Sequence, residues 1–425
     1  MSKNFILLSF NELNFDYLKK YSKIKKYKNF NKIINKIKET LCGEEYKYLE
    51  PWIQWPTIYT GKTAKEHGLF RLGDCVNFEN ETIFNLLEAK GKTVGAISSI
   101  NLKNDLKNPH FFIPDPWTDT PPDDSYWSKK ISKTINYFVK NNSKLKYDFK
   151  LLLDLFLIFL KYARIVNYPI YIKLFLTSFG KNWRKALFLD LLLNDIYLYN
   201  YKKFKTNFSN LFLNGLAHIQ HHYFLNSEKI DDNKLQNPNW YLTKKYDPLS
   251  EAFYVYDKIL GDYLNLKDCN FMLATGLSQT PYDRVKYYYK LINHELFFDK
   301  FGLKYQNIFE LMSRDFIIRF QNTTDCTRAF NIVANISDNN KKKLFGDIQV
   351  KKNDLFVSFV YDEEIKDQRV YSSSEDEELN LKNFVNFVAL KNGMHNQKGF
   401  VYFEDFKDDT KIRIENIKSE ILKNI

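Results

Sequence analysis

Short apolar runs that stop at polar or glycine turns constrain this chain more than any other feature. Phe5–Phe10 meets Asn11-Glu12, Ser209–Leu213 meets Asn214-Gly215, and Asn270–Ala274 meets Thr275-Gly276. A fourth run, Thr93–Ser98, follows a helical segment at Glu81–Lys90. Near-continuous apolar character is what a strand covered on both faces requires, the usual situation in a parallel sheet flanked by helices. The alternation of such runs with helical-period segments predicts an α/β fold with a mostly parallel central sheet. In open sheets of this kind the ligand crevice lies outside the carboxyl ends of the strands. The turns at Asn11-Glu12, Asn214 and Thr275–Pro281 are therefore the places to seek chemistry.

The densest block of turn, aromatic and polar residues is Leu49–Asp74, LEPWIQWPTIYTGKTAKEHGLFRLGD. Pro51 and Pro56 each fix φ and remove a backbone donor, which predicts that Glu50–Thr57 is neither interior strand nor helix. Gly61, Gly68 and Gly73 permit positive φ. Such a loop either lies over a site on a rigid scaffold or uses Trp52 and Trp55 to fill the core.

The remaining chain divides by pattern. Asp16–Thr40 reads as a basic amphipathic helical stretch, and Asn108–Trp127 as a long irregular lid or linker. Tyr126–Tyr201 is helical in pattern, and its most apolar part, Phe149–Leu160, is shorter than a membrane-spanning helix. With Lys144, Lys146, Lys150, Lys161 and Arg164 beside it, this part reads either as packed helices or as an interfacial element making peripheral membrane contact. From Tyr282 the runs Phe316–Phe320, Ala329–Ile336, Leu344–Val350 and Leu355–Tyr361 are short and β-like. Glu375–Glu378 reads as a solvated acidic patch. The expected organisation is a core of 1–124, 206–281 and 383–425, a helical insertion at 125–205, and an α+β cap at 282–382.

At 425 residues and 44% apolar the chain is ample for a buried core. Its formal charge of +12 suits an anionic substrate or surface, but the lysines are dispersed. No RRM, zinc-finger or helix-turn-helix pattern is present, so nucleic acid is not an expected partner. The four cysteines, Cys42, Cys75, Cys269 and Cys326, form no CxxC pair and fit reduced thiols in a cytoplasmic protein.

The run Thr60-Gly61-Lys62-Thr63-Ala64-Lys65-Glu66-His67-Gly68-Leu69 resembles T-G-x-x-x-x-x-H-G, the segment that follows the nucleophile in the alkaline phosphatase superfamily. That group includes sulfatases and nucleotide pyrophosphatase/phosphodiesterases. Asn214-Gly215-Leu216-Ala217-His218 is similar to the family's D-x-x-G-H. Gly393-Met394-His395-Asn396-Gln397-Lys398-Gly399 is similar to its C-terminal G-x-H-x-x-x-G. The resemblance implies a site in which two cations clamp a phosphate or sulfate while a hydroxyl attacks in line.

Position by position, most of that apparatus is replaced. The family's first-strand aspartate falls at Asn11 and its nucleophile at Pro51. The first residue of D-x-x-G-H is Asn214, and the S-D-H-G pair falls at Gly276 and Leu277. His218 and His395 remain as implied ligands. A two-metal site is not expected. Two readings stand. One is a single divalent cation, zinc or manganese, on His218, His395 and His222 or Glu12; His218 and His222 share a helix face at i, i+4. The other is metal-free acid–base work by Glu12, His218 and His395, with Asn11, Gln54, Thr57, Asn214 and Gln279 binding substrate. His221 is left open between site and surface, and His67 reads as supporting, not reacting. The expected function is a divergent hydrolase or transferase of a phosphate or sulfate ester, such as a glycan or sugar-phosphate. The alternative is an inactive relative that binds a glycan, a nucleotide or a partner.

Overall fold

The computed structural model describes residues 3–43, 45–79, 81–140, 148–229, 235–311, 314–372, 375–406 and 411–425. Lys144, Lys146 and the side chains of Glu375–Glu378 lie outside the described residues. The chain folds as two compact units. The first comprises Met1–Asn233, Lys244–Pro281 and Gly393–Ile425; the second comprises Lys234–Thr243 and Tyr282–Asn392.

The first unit is built on an eight-stranded sheet. Its strands are β1 (Asn4–Phe10), β2 (Lys38–Leu41), β3 (Val94–Ile97), β4 (Phe111–Ile113), β5 (Phe208–Leu213), β6 (Cys269–Ala274), Lys398–Tyr402 and Ile412–Arg413. Across the sheet the order is Ile412–Arg413, β2, Lys398–Tyr402, β6, β1, β5, β3, β4. The run β6-β1-β5-β3-β4 is parallel throughout, and Lys398–Tyr402 joins it antiparallel. This is the α/β architecture with a mostly parallel central sheet that the apolar runs predict. All of β1 from Phe5 to Phe10 is buried, because strands and helices cover it on every side.

Among the described residues the helices of this unit are α1 (Phe15–Ser22), α2 (Phe30–Ile33), α3 (Pro51–Thr60), α4 (Ala64–His67), α5 (Ile83–Ala89), α6 (Tyr126–Lys140), α7 (Phe149–Tyr162), α8 (Tyr168–Leu176), α9 (Asn182–Phe204), α10 (Gly215–Tyr223), α11 (Pro248–Leu264) and a last one at Ile417–Leu422. The helical segment expected at Tyr126–Tyr201 is thus α6 to α9, and α9 packs on α10, α11 and β5. One core joins Phe5, Trp55, Phe84, Phe212, Met272 and Leu277.

Three expectations fail here. Glu50–Thr57 is not excluded from helix: it forms most of α3. Pro51 sits at the first helical position, where no donor is needed. Pro56 would strand the Trp52 carbonyl, but the Asn101 side chain donates to that oxygen at 2.8 Å. A residue 49 positions away thus completes the helix. Asp16–Thr40 is not one helix but α1, the single turn α2 and strand β2, which borrows its pairing from Lys398–Tyr402 and Ile412–Arg413. Ala329–Ile336 is not β-like: Thr323–Val333 is a helix capped by Asn322, burying Cys326, Ala329 and Val333 at helical spacing.

The second unit has a four-stranded antiparallel sheet containing Asp315–Arg319, Phe345–Lys351 and Asp354–Phe359, with smaller sheets and two helices among its described residues. Its own core gathers Phe297, Phe298, Phe316, Phe345 and Phe359.

Candidate functional site

The site is assembled where β1, β5 and β6 end. Glu12 follows β1 with φ of +60°, a conformation that non-glycine residues rarely adopt. Neighbouring strands hold it there. Its N–H donates to the Thr275 carbonyl at 2.9 Å, and its carbonyl accepts from Gln220 Nε2 at 2.7 Å. The turned backbone aims a carboxylate that is only 1% exposed at two imidazoles, His221 on α10 and His395 just before the Lys398–Tyr402 strand.

His221 Nε2 and His395 Nε2 each stand 3.3 Å from Glu12 Oε2, and 3.3 Å from each other. Among the described residues, this trio brings one ligand atom each into a common group. The outer nitrogens are engaged by oxygens: His221 Nδ1 lies 3.2 Å from the Gly393 carbonyl and His395 Nδ1 lies 3.4 Å from Glu50 Oε2. Both acceptors call for hydrogen on Nδ1, which leaves both Nε2 lone pairs turned toward Glu12. Three lone-pair-bearing atoms then face one another, with no hydrogen between them unless an imidazole takes up a second proton. Burial opposes ionisation of Glu12, but when His395 and His221 carry that second proton their charges outweigh burial and hold the carboxyl well below its ordinary range.

The trio also fits a metal. Ligand atoms about 2.0–2.1 Å from a tetrahedral ion stand about 3.3–3.4 Å apart. Two imidazoles and a carboxylate suit zinc or manganese. Oxygen partners on the outer imidazole nitrogens are the usual support for metal-ligating histidines. His221 is 27% exposed against 13% for His395, so the trio opens to solvent on the α10 side.

An amide shell surrounds the carboxylate. Asn11 Nδ2 donates to Glu12 Oε1 at 2.9 Å and to Asn214 Oδ1 at 2.8 Å, while Asn11 Oδ1 accepts from Trp55 Nε1 at 2.7 Å. Gln279 Nε2 donates to Glu12 Oε2 and to the Ala217 carbonyl, and Gln279 Oε1 is buried with no partner among the described residues. Asn11 is thus spent on Glu12, Asn214 and Trp55, whereas half-buried Asn214 shows no partner for Nδ2 among the described residues.

The other expected site residues sit elsewhere. Gln54 is buried and spent on Cys42 Sγ and the Tyr48 carbonyl. Thr57 donates to the Ile53 carbonyl at 3.1 Å and meets His67 Nε2 at 3.1 Å. His67 Nδ1 accepts from Leu69 N, and burial lowers its pKa to about 4, so it is a neutral tie between α3 and the following loop. His218 and His222 meet edge to face with ring centroids 4.7 Å apart, and the imidazole that meets His395 is His221 instead. Burial, with the charge of His221 added, lowers His218 to about 4. Leu277, in the place of a family ligand, is core. His110 packs on Phe204, and His294 on Phe316.

His221, Gln220, Glu50 and the Gly393 carbonyl are the participants that motif reading passes over. His221 lies one turn beyond His218 and was visible as part of His218-Ile219-Gln220-His221-His222, but the family pattern points to the first histidine of that run.

No family model matches the chain, and no curated protein matches it. It is similar in structure to murine ectonucleotide pyrophosphatase/phosphodiesterase 5, at 11% identity and TM-score 0.43, over 99% of this chain and 94% of that one. It is similar to phosphonoacetate hydrolase from Sinorhizobium meliloti at 9% identity and TM-score 0.45, over 100% and 96%. It is similar to wild-type alkaline phosphatase PafA at 12% identity and TM-score 0.43, over 99% and 96%. The chemistry of the site is read from its own residues.

Proposed function

We propose that this chain is a hydrolase of phosphate or sulfate esters, a glycan or sugar-phosphate among them, whose site holds one divalent cation, zinc or manganese, on Glu12, His221 and His395. The observation that carries the reading is the 3.3 Å triangle of Glu12 Oε2, His221 Nε2 and His395 Nε2, with each Nδ1 already committed to an oxygen. When bound, such an ion polarises an ester oxygen and brings the pKa of a bound water toward neutrality.

The chain's own residues do the rest. Asn11 and Gln279 fix the two oxygens of Glu12. Glu50 and Gly393 orient the imidazoles. Asn214 Nδ2, at the head of α10, would donate to an ester oxygen, where the helix N-terminus also favours negative charge. Attack falls to water, because Pro51 has no hydroxyl and the Thr57 hydroxyl is spent on Ile53.

Those same two facts favour a second reading, a protein that binds such an ester without turning it over. Metal content of the purified full chain separates the possibilities, with turnover of p-nitrophenyl phosphate, bis(p-nitrophenyl) phosphate and p-nitrophenyl sulfate. The hydrolase reading expects about one equivalent of zinc or manganese, lost together with turnover in His221→Ala and in His395→Ala. Bound metal without turnover selects the binder. Protein that takes up no metal, with activity indifferent to both substitutions, refutes the site.

A further inference from the structure

The helices α7 and α8 leave an apolar face uncovered. Among the described residues, 12 of the 29 exposed large apolar side chains fall between Phe149 and Phe179. On α7 they are spaced for one stripe: Phe149, Leu153, Phe156 and Leu160 are 80%, 48%, 55% and 56% exposed. The opposite side of the same helix, Leu151, Ile158 and Tyr162, faces the protein. On α8, Ile172, Phe175 and Leu176 are exposed at i, i+3 and i+4, and Phe179 beyond them is 95% exposed. The two helices touch through Phe159, whose ring packs on Tyr168 and Tyr171, so the stripes lie on neighbouring elements. An exposed apolar surface of this extent marks an interaction site.

Charge decides the occupant. Asp154 is the only acidic residue between positions 149 and 189, and Lys130 pairs with it. Lys150, Lys173 and Lys185 are exposed on these helices and their flank, and no carboxylate pairs with them among the described residues. A second copy of the chain would bring lysines against lysines. An anionic lipid surface neutralises them while receiving the apolar stripe. At 14 residues α7 is about 21 Å long, short of the roughly 30 Å of a hydrocarbon core, and no described helix is long and apolar enough to cross a membrane.

We propose that α7 and α8 form a docking face for an anionic phospholipid surface, along which they lie in the interface without spanning it.

The test is co-sedimentation of the full chain with phosphatidylcholine vesicles, with and without phosphatidylglycerol. The protein is expected in the pellet with the anionic vesicles, less so as salt is raised. Phe156→Ser combined with Leu160→Ser should weaken that binding about tenfold or more. Both positions are exposed, so circular dichroism should be unchanged. Lys150→Glu with Lys173→Glu should remove the preference for phosphatidylglycerol. Equal binding to both vesicle types overturns the anionic assignment. A protein that stays in the supernatant overturns the proposal altogether. If that protein is a dimer in sedimentation velocity, and a monomer as Phe156→Ser/Leu160→Ser, the face belongs to a second copy.

Discussion

Asn101 is expected to be among the most consequential polar side chains outside the metal-ligating trio, and its effect should depend on a proline. Its Nδ2 donates to the Trp52 carbonyl at 2.8 Å and to the Arg71 carbonyl at 3.1 Å; its Oδ1 accepts from Gly73 N at 3.0 Å and Cys75 N at 3.4 Å. It is 2% exposed and holds φ of +51°. Asn101→Ala removes all four bonds and leaves the Trp52 oxygen stranded, since Pro56 offers no N–H. At about 1 kcal/mol for each well-formed bond, plus about 1 kcal/mol for alanine at positive φ, the loss is about 3–5 kcal/mol. Pro56→Ala restores the native helical donor for that same oxygen. Asn101→Ala should therefore cost about 1 kcal/mol less in the Pro56→Ala background than alone. Urea unfolding followed by tryptophan fluorescence reads this directly, because Trp52 and Trp55 lie on α3. The consequence reaches the site, as α3 carries the Trp55 ring that anchors Asn11 and follows Glu50. Additive effects of the two substitutions, or an Asn101→Ala protein within about 1 kcal/mol of the parent, would refute the account of how a proline is tolerated there.

Two further outcomes concern Gly393 and Asp190. A Cβ at Gly393 would stand 2.1 Å from Gln279 Oε1 and 2.8 Å from the Gln220 carbonyl, so Gly393→Ala should cost about 1–3 kcal/mol and lower metal content by shifting the carbonyl that holds His221; an unchanged midpoint and metal stoichiometry would contradict it. Asp190, buried at the head of α10, has its carboxyl pushed up to about 7 by burial, so the folded state holds a proton that the unfolded chain releases near pH 4. Stability from this group is complete below pH 4 and falls as pH rises to about 7, on the order of 2 kcal/mol between pH 5 and 8; Asp190→Asn should flatten that slope in denaturant titrations, and an unaltered slope would refute it.

Local sequence set the sheet strands and the places where chemistry gathers. Phe5–Phe10, Ser209–Leu213 and Asn270–Ala274 are legible because burial on both faces leaves no room for polar residues within them. Glu12 and His395 were legible as candidates because each stands at a strand end in a recognisable order. Three other matters were not local. Helix α3 survives its interior Pro56 because Asn101 supplies the missing donor from afar. β2 is a strand because Lys398–Tyr402 and Ile412–Arg413 pair with it, although its own residues read as helix. The choice of His221 over His218 depends on which face of α10 meets the Gly393 carbonyl and the turned backbone of Glu12. Residue pattern fixes what a segment buries; which donor reaches an orphaned oxygen, or which imidazole faces a carboxylate, is settled only when distant segments meet.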